Sequence, residues 1–228
     1  MKILITSGGT TEAIDSVRGI TNHSTGRLGT MIAETFLKAG HQVTLITTNR
    51  AVKPSNHDHL SLIIIESVAD LHHALEKSVP QHDALIHAMA VSDYTPVYMT
   101  DLEEIKQTDD IDQLFLKSNS ETKISSQSDY QVLLLKKTPK LISLVKKWHP
   151  AITLVGFKLL VDVSREELLE VARESLRQNK ADYILANDLT HITAKEHHAF
   201  LVGSDRVQEA TTKEAISELI YHEVTKNG

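Results

Sequence analysis

The 228-residue chain has no cysteine, no long apolar run and no excess of positive charge. Without cysteine it can form no disulfide, no thiolate metal site and no cysteine nucleophile, which is compatible with a reducing compartment. Acidic residues outnumber basic ones by 30 to 24, so the formal charge of −6 argues against nucleic acid or an anionic membrane as partner. Any anionic ligand must therefore be bound by local positive groups.

The absence of a long apolar run excludes a membrane span, which needs roughly 18 consecutive apolar residues. The opening MKILITSGG is too short in its apolar part for a signal peptide and lacks the small-residue cleavage pattern. We therefore expect a cytoplasmic protein. A hydrophobic content of 41% is ample for a packed core, and the length favours one domain over residues 1–228.

Short apolar runs alternate with helical patterns along most of the chain. The runs are continuous in Val, Ile and Leu, which is typical of parallel strands covered by helices on both faces. Strands are predicted over 2–6, 42–48, 60–66, 83–91, 152–160 and 181–188. One helix is predicted over 25–39, and another begins after Ser164, with Glu167 completing a capping box. The order predicts an α/β fold with a Rossmann-like, doubly wound, mostly parallel sheet.

The strand and helix rhythm stops between Tyr94 and Thr138, where acidic and turn-forming residues dominate. We predict that a flap leaves the sheet over about residues 94–130. Two short strand-like pieces later flank 203–205, a Gly-Ser-Asp sequence. They predict a C-terminal hairpin before the last helix.

The stretch RGITNHSTGRLG, residues 18–29, leads from the region of the first strand into the first predicted helix. A glycine-rich loop before a helix N-terminus lets backbone N–H groups receive phosphate. Its glycines match neither the dinucleotide fingerprint nor a Walker A loop. Two interpretations stay open from geometry: an anion site, or glycines at 26 and 29 that only let the helix pack closely on the sheet.

Two other classes are disfavoured by the residues. A short-chain reductase needs a Tyr followed four residues later by Lys, and none of the five tyrosines has Lys at that spacing. The 13 histidines invite a metal site, but the adjacent pairs lack a convincing third ligand, so we predict surface histidines. The histidine groups in question are His57 with His59, His72 with His73, and His197 with His198.

Six sequence blocks carry a resemblance to a known enzyme family: GGTTEAIDSVRGITNHSTGRLG, AMAVSDY, KISS, TPKLI, VGFK and ILAND. In order and approximate spacing they resemble phosphopantothenate-cysteine ligase of coenzyme A biosynthesis, over nearly the whole chain. The resemblance implies that 4′-phosphopantothenate and cysteine are joined through an acyl-nucleotide, with release of pyrophosphate and a nucleoside monophosphate. It implies Mg²⁺ with CTP, favoured over ATP, as co-substrate.

The resemblance also implies partners. It implies a homodimer, and in many bacteria such ligases are fused behind a flavin-dependent decarboxylase. Here the first strand begins at Lys2, so we expect a stand-alone ligase without flavin, with a separate decarboxylase acting in the same pathway. An inactive nucleotide-binding module on the same fold is the alternative function.

The matching residues receive roles from the resemblance. Asn22 would hydrogen-bond the acyl-nucleotide and Lys123, on the flap, would close over it; these are the predicted catalytic residues. Arg18 would bind phosphopantothenate across a subunit interface, and Asn22, Met89 and Ala90 would complete the substrate site. The predicted nucleotide-binding residues are Gly9, Ser24, Gly26, Gly29, Asp93, Pro139, Lys140, Leu141, Ile142, Phe157 and Asn187.

Two positions depart from the pattern of the fused bacterial ligases. Met89 stands where alanine is usual, which affects the fit around the substrate carboxylate. The FKLL block, residues 157–160, replaces the common FAAE and resembles the eukaryotic, stand-alone type. The preference for CTP is therefore an expectation by analogy with bacterial members.

Overall fold

The computed structural model describes residues 1–119, 123–125, 127–193 and 196–226. The helices are α1 (Arg27–Lys38), α2 (Val68–Ser78), α3 (Leu102–Gln107), α4 (Val145–Trp148), α5 (Arg165–Asn179) and α6 (Lys213–Thr225). The strands are β1 (Lys2–Thr6), β2 (Thr11–Ala13), β3 (Gly19–Thr21), β4 (Gln42–Thr48), β5 (Leu60–Ile65), β6 (Ala84–His87), β7 (Tyr94–Asp101), β8 (Gln131–Lys137), β9 (Thr153–Leu160), β10 (Tyr183–Ile192), β11 (His197–Val202) and β12 (Val207–Ala210).

One eight-stranded sheet carries the fold, in the order β12-β11-β10-β9-β6-β1-β4-β5. The six strands from β10 to β5 run parallel, and β11 and β12 add an antiparallel hairpin at one edge. The chain builds β4 and β5 on one side of β1, then β6, β9 and β10 on the other. The predicted doubly wound, mostly parallel sheet and the C-terminal hairpin are therefore confirmed.

Helices cover both faces of this sheet and divide the core into two layers. Ile3 and Ile5 of β1 join the core under α1 and α6, whereas Leu4 joins the core under α2, α4 and α5. Because side chains alternate along a strand, Ser7 continues the α1 face and Thr6 the opposite face. The residues that follow β1 are thus assigned to a face by the apolar pattern of the strand.

The strand ends agree with the sequence pattern at β1 and β4 and differ at β6. The predicted strands 2–6 and 42–48 coincide with β1 and β4. β6 ends at His87, four residues before the predicted end at 91, because the N–H of Met89 donates to the Thr6 hydroxyl instead of a ladder carbonyl. The predicted N-cap of α5 is present, since the Ser164 hydroxyl accepts from the Glu167 N–H at 3.1 Å.

Between β6 and β9 the chain leaves the main sheet as an antiparallel ribbon of β7 and β8. α3 and a 3-10 turn at Ile111–Leu116 follow β7 within this excursion. The flap predicted over 94–130 begins where β7 begins, and the ribbon continues beyond it to Lys137. A second small hairpin, β2 with β3, lies between β1 and α1 and has no counterpart in the predicted elements.

α1 approaches β1 so closely that a side chain at Gly29 has no room. A Cβ at Gly29 would lie 2.5 Å from Ser7 Oγ and 2.7 Å from Ser7 Cβ. Gly26, the residue before α1, has a left-handed φ of 77°, and its Cβ would lie 3.0 Å from Ser7 Oγ. The loop after β1 and the start of α1 are therefore held against each other. Within the described ranges, no helix is long and apolar enough to cross a membrane.

Candidate functional site

The carboxyl ends of β1 and β6 meet where the strand order reverses, which is the usual ligand position in open α/β sheets. Beyond β1, Gly9 forms a single parallel bridge with Ala90. The Ala90 N–H donates to the Gly8 carbonyl at 2.9 Å, and the Thr10 N–H donates to the Ala90 carbonyl at 3.0 Å. Gly9 and Ala90, predicted for the nucleotide and the substrate, are therefore adjacent.

The loop that carries Asn22 crosses directly over Gly9. A Cβ on Gly9 would lie 2.2 Å from the Asn22 carbonyl oxygen, so the crossing requires glycine there. The exposed Asn22 side chain turns to the neighbouring segment, where its Nδ2 donates to the Val91 carbonyl at 3.1 Å. The structure thus brings Asn22 beside Ala90, and its amide oxygen has no partner among the described residues.

α1 begins at the same edge of the sheet; its N-cap Gly26 has no side chain to cap it, and the Arg27 N–H donates to the Thr25 hydroxyl at 3.4 Å. The Ser7 hydroxyl donates to the Gly26 carbonyl at 2.9 Å, which fixes the start of the helix beside β1. Ser24 is exposed two residues before this point. The first-turn N–H groups form a partial positive charge at this edge. Packing alone already requires Gly26 and Gly29, so these glycines do not by themselves distinguish an anion site from close helix packing.

The remaining predicted nucleotide residues lie on both faces of the sheet. Phe157 packs against the core under α1 and α6, and Asn187 pairs in register with Ala199 of that same core. Leu141 and Ile142 are buried in the opposite core, as is Met89. The side chains of these last three residues are packed away, so they can meet a ligand only through their backbones.

The TPKLI segment reaches the site through Asp93. The Thr138 N–H donates to the Asp93 carbonyl at 2.9 Å, and the Lys140 ammonium lies 3.7 Å from the Asp93 carboxylate. Pro139 and Lys140 are exposed. This contact places the exposed Lys140 ammonium beside Asp93, at the end of the loop that follows β6, on the side of the sheet opposite α1.

Arg18 and Asp15 together hold the segment that carries Lys123. The Arg18 guanidinium binds one Asp15 oxygen through Nε at 3.0 Å and Nη2 at 2.5 Å. Ile124 is bound on both sides, since its N–H donates to Asp15 at 3.1 Å and its carbonyl accepts from Arg18 Nη2 at 3.0 Å. Ile124 is buried and Lys123 is exposed. Residues 120–122 and 126 of the predicted flap, including the last serine of KISS, lie outside the described residues.

Asp15 supports the candidate site and was missed by the sequence interpretation. Its side chain is 1% exposed and also accepts the N–H groups of Val17 and Arg18 at 2.9 and 2.8 Å. The Arg18 guanidinium, followed by these backbone donors, holds the pKa of the Asp15 carboxyl well below its usual range. The signal was available, because Asp and Arg three residues apart flank the turn of IDSVRG.

His87 is a second missed residue, buried at the end of β6. Its Nδ1 lies 2.8 Å from the Thr6 hydroxyl, which also accepts the Met89 N–H at 3.3 Å. Burial, with a smaller effect of the Lys140 ammonium, lowers the pKa of His87 to about 4. A neutral imidazole therefore supports the turn that leads to Ala90.

The histidine pairs correct one prediction. His57, His59 and His73 are exposed as expected, but His197 is only 5% exposed. The prediction failed there because β11 is an inner strand of the hairpin, and residue 197 faces the core under α6. Within the described ranges, no group of three or more His, Asp or Glu side chains is placed to hold a metal ion.

Comparison with known proteins identifies what this chain resembles. The family model of the DNA/pantothenate metabolism flavoprotein C-terminal domain matches residues 1–121 and 115–227. The Coenzyme A biosynthesis bifunctional protein CoaBC of Thermococcus kodakarensis is 32% identical over 229 residues, which cover 99% of this chain and 51% of that protein. The chain thus spans about half the length of the curated relatives it matches first.

Two solved structures extend the comparison to the fold. The DNA/pantothenate metabolism flavoprotein from Streptococcus pneumoniae is 54% identical, with a TM-score of 0.96 and complete coverage of both chains. The C-terminal domain of a coenzyme A biosynthesis bifunctional protein CoaBC is 26% identical, with a TM-score of 0.73 over 98% of this chain and 93% of that one. Both share the mostly parallel sheet described above.

Replacing Asp15 by asparagine should release the Lys123 segment. A carboxamide has no charge to bind Arg18. Its amide nitrogen would also replace one of the two carboxylate oxygens, which accept from Arg18, Ile124 and the turn N–H groups. We expect amide hydrogen exchange at Ile124 to accelerate by about tenfold or more, as for a loop whose local opening becomes easier. The exposed Asp129→Asn serves as the matched control. Unchanged protection of the Ile124 amide in Asp15→Asn would show that the Asp15–Arg18 pair does not hold the Lys123 segment.

Proposed function

The chain belongs to the family of the DNA/pantothenate metabolism flavoprotein C-terminal domain, and from that premise we propose that it is a phosphopantothenate-cysteine ligase of coenzyme A biosynthesis. The observation that carries the proposal is the convergence of three features where the strand order reverses. These features are the Asn22 carboxamide, the Ala90–Val91 backbone and the start of α1, whose N-cap Gly26 has no side chain. They combine N–H donors with an open edge, as an anionic reaction centre requires.

In the proposed first step, a carboxylate oxygen of 4′-phosphopantothenate bonds to the α-phosphorus of the triphosphate, the bond to the β-phosphate breaks, and pyrophosphate leaves. Two anions must meet on a chain whose formal charge is −6. Local cations and oriented dipoles must therefore offset their repulsion. We assign this task to the first turn of α1 with Ser24, Gly26 and Gly29, and to the exposed ammonium of Lys123.

In the second step, the cysteine amine bonds to the acyl carbon, the bond from that carbon to the nucleotide oxygen breaks, and the nucleoside monophosphate leaves with release of a proton. Negative charge develops on the carbonyl oxygen in this step. We assign the stabilising hydrogen bond to Asn22, whose carboxamide donates without adding a titrating group. Its bond to the Val91 carbonyl supports this role by orienting the side chain beside Ala90.

The nucleotide is proposed to lie across the carboxyl edge. Phe157 and Asn187 would meet the base from the α1 face, whereas Asp93, Pro139 and Lys140 approach from the other side. Met89, Leu141 and Ile142 would contribute backbone groups only, since their side chains are buried. Gly9 would act by letting the Asn22 loop cross it. We propose CTP over ATP by analogy, with Mg²⁺ arriving as part of this co-substrate, because the described residues offer no cluster that would hold the ion alone.

We extend the proposal to a cytoplasmic homodimer that works with a decarboxylase of the same pathway. Asp15 binds Nε and Nη2 of Arg18, and 35% of the Arg18 side chain remains exposed. The remaining face of the guanidinium can bind the phosphate of a substrate held by the partner subunit. Sedimentation at micromolar concentration tests this assembly, and a fully active monomer would refute it.

The proposed reaction predicts one pyrophosphate released for each phosphopantothenoylcysteine formed. The assay combines the purified chain with 4′-phosphopantothenate, cysteine, Mg²⁺ and each nucleoside triphosphate in turn. CTP should support faster turnover than ATP. Saturable nucleotide binding without product from any triphosphate would reject the ligase and identify the inactive binding module.

Variants separate the two steps of this reaction. Lys123→Gln should slow pyrophosphate release by about 10²-fold, the scale typical of losing one preorganised electrostatic group. Asn22→Asp should slow both pyrophosphate release and product formation, because it places an anion beside a mixed anhydride. Lys147→Gln, at an exposed lysine away from the flap, is the control, and circular dichroism checks the fold. Normal pyrophosphate release in Lys123→Gln would mean that Lys123 is an exposed residue without a role in the first step.

A further inference from the structure

Asn187 and His197 form a buried polar pair near the carboxyl edge of the sheet. Asn187 Nδ2 lies 2.9 Å from His197 Nε2, and the two residues are 7% and 5% exposed. They sit on paired strands, with Asn187 opposite Ala199 and His197 opposite Ile192. His197 was expected at the surface and has no place in the proposed reaction, so its burial against a predicted nucleotide residue needs an explanation.

The geometry fixes the roles of the two side chains. The amide nitrogen of Asn187 carries only hydrogens, so His197 Nε2 must accept and the imidazole proton must sit on Nδ1. Burial, followed by the charges of Lys213 and His198, lowers the pKa of His197 to about 4, so the ring is neutral near pH 7. His197 Nδ1 is buried without a partner among the described residues. The pair is thus kept in an arrangement that leaves one buried donor unused.

The amide oxygen of Asn187 is in the opposite situation. No described residue donates to Oδ1, and this oxygen is not fully sealed from solvent. Because Nδ2 is held on His197, the Asn187 group that remains available to a ligand is an acceptor and not a donor.

Phe157 lies next to this acceptor. In the parallel register of β9 and β10, Phe157 is opposite Leu185, two residues before Asn187, and both side chains belong to the α1 face. Diagonal neighbours on one face of a sheet are within reach of a shared ligand. A base that contacts the Phe157 ring would therefore turn one edge toward Asn187 Oδ1.

We infer that His197 is a positioning residue that holds the Asn187 carboxamide with its oxygen outward, so that the site selects bases carrying an exocyclic amino group. Cytosine and adenine present such a donor. Uracil and hypoxanthine present a carbonyl oxygen at the same place, which would face another acceptor. The inference rests on the proposed function to the extent that a nucleotide binds at this edge.

Equilibrium binding tests the inference without requiring turnover. The full chain is titrated calorimetrically with CTP, UTP, ATP and ITP in the presence of Mg²⁺ and without phosphopantothenate or cysteine. We expect UTP to bind at least about tenfold more weakly than CTP, and ITP at least about tenfold more weakly than ATP, since a mismatched buried acceptor loses its hydrogen bond. Absence of ligase activity would leave these ratios measurable, whereas equal binding within each pair, or no binding at all, would overturn the inference.

Variants then assign the selectivity to His197. In His197→Leu the Asn187 carboxamide is free to rotate by about 180°. The affinities for CTP and UTP, and those for ATP and ITP, should then differ by no more than about threefold. His197→Gln can still accept from Nδ2 through its side-chain oxygen and should keep most of the selectivity. His198→Leu, whose side chain lies on the other face of β11, is the matched control. A structural role alone would weaken all four nucleotides equally, and unchanged ratios in His197→Leu would contradict the inference.

Nuclear magnetic resonance of the unaltered protein provides a measurement that does not depend on how the variants fold. The imidazole nitrogen shifts of His197 at pH 7 should show a protonated Nδ1 and an unprotonated Nε2. A protonated Nε2 would mean that Asn187 turns its amide nitrogen outward, and the inference would fall.

Discussion

The contact between α1 and β1 is the constraint on which the rest of the site depends. Ser7 meets the backbone of Gly29 where a Cβ would overlap it, and its hydroxyl binds the Gly26 carbonyl. This contact sets the start of α1 at the carboxyl edge of the sheet, beside the end of β1. The loop before α1 must then cross Gly9, which delivers Asn22 to Ala90.

Hydroxyl groups join the loops that surround this edge. The Ser92 N–H donates to the Thr10 hydroxyl at 2.9 Å, that hydroxyl donates to Ser92 Oγ at 3.1 Å, and the Thr138 hydroxyl donates to the Ser92 carbonyl at 2.6 Å. Three loops, after β1, after β6 and after β8, are thereby connected without any charged group. Such satisfied polar contacts fix loop geometry while leaving the local charge to Lys123 and Lys140.

The sequence predicted the strands and helices that have a periodic apolar pattern, and missed the features that depend on contacts between distant segments. Continuous apolar runs indicated the parallel strands, and the position of Ser164 indicated the start of α5, because both signals are local. β2 and β3 were missed because strands of three residues are too short to show a periodic pattern. His197 was placed at the surface because the sequence does not show which of two adjacent histidines on a strand faces the core. Among the site residues, the motifs supplied Asn22 and Ala90, whereas the support from Asp15 and His87 depends on contacts between distant segments.

The central claim is that the site at the carboxyl edge of the sheet converts the carboxylate of 4′-phosphopantothenate into an acyl-nucleotide. Tracing the oxygen atoms of that carboxylate tests this claim most directly. 4′-Phosphopantothenate labelled with ¹⁸O in its carboxylate is converted with cysteine, CTP and Mg²⁺, and the nucleoside monophosphate is analysed by mass spectrometry. Attack of the carboxylate on the α-phosphorus predicts one ¹⁸O atom in each CMP formed. Product formation with unlabelled CMP would contradict the acyl-nucleotide account.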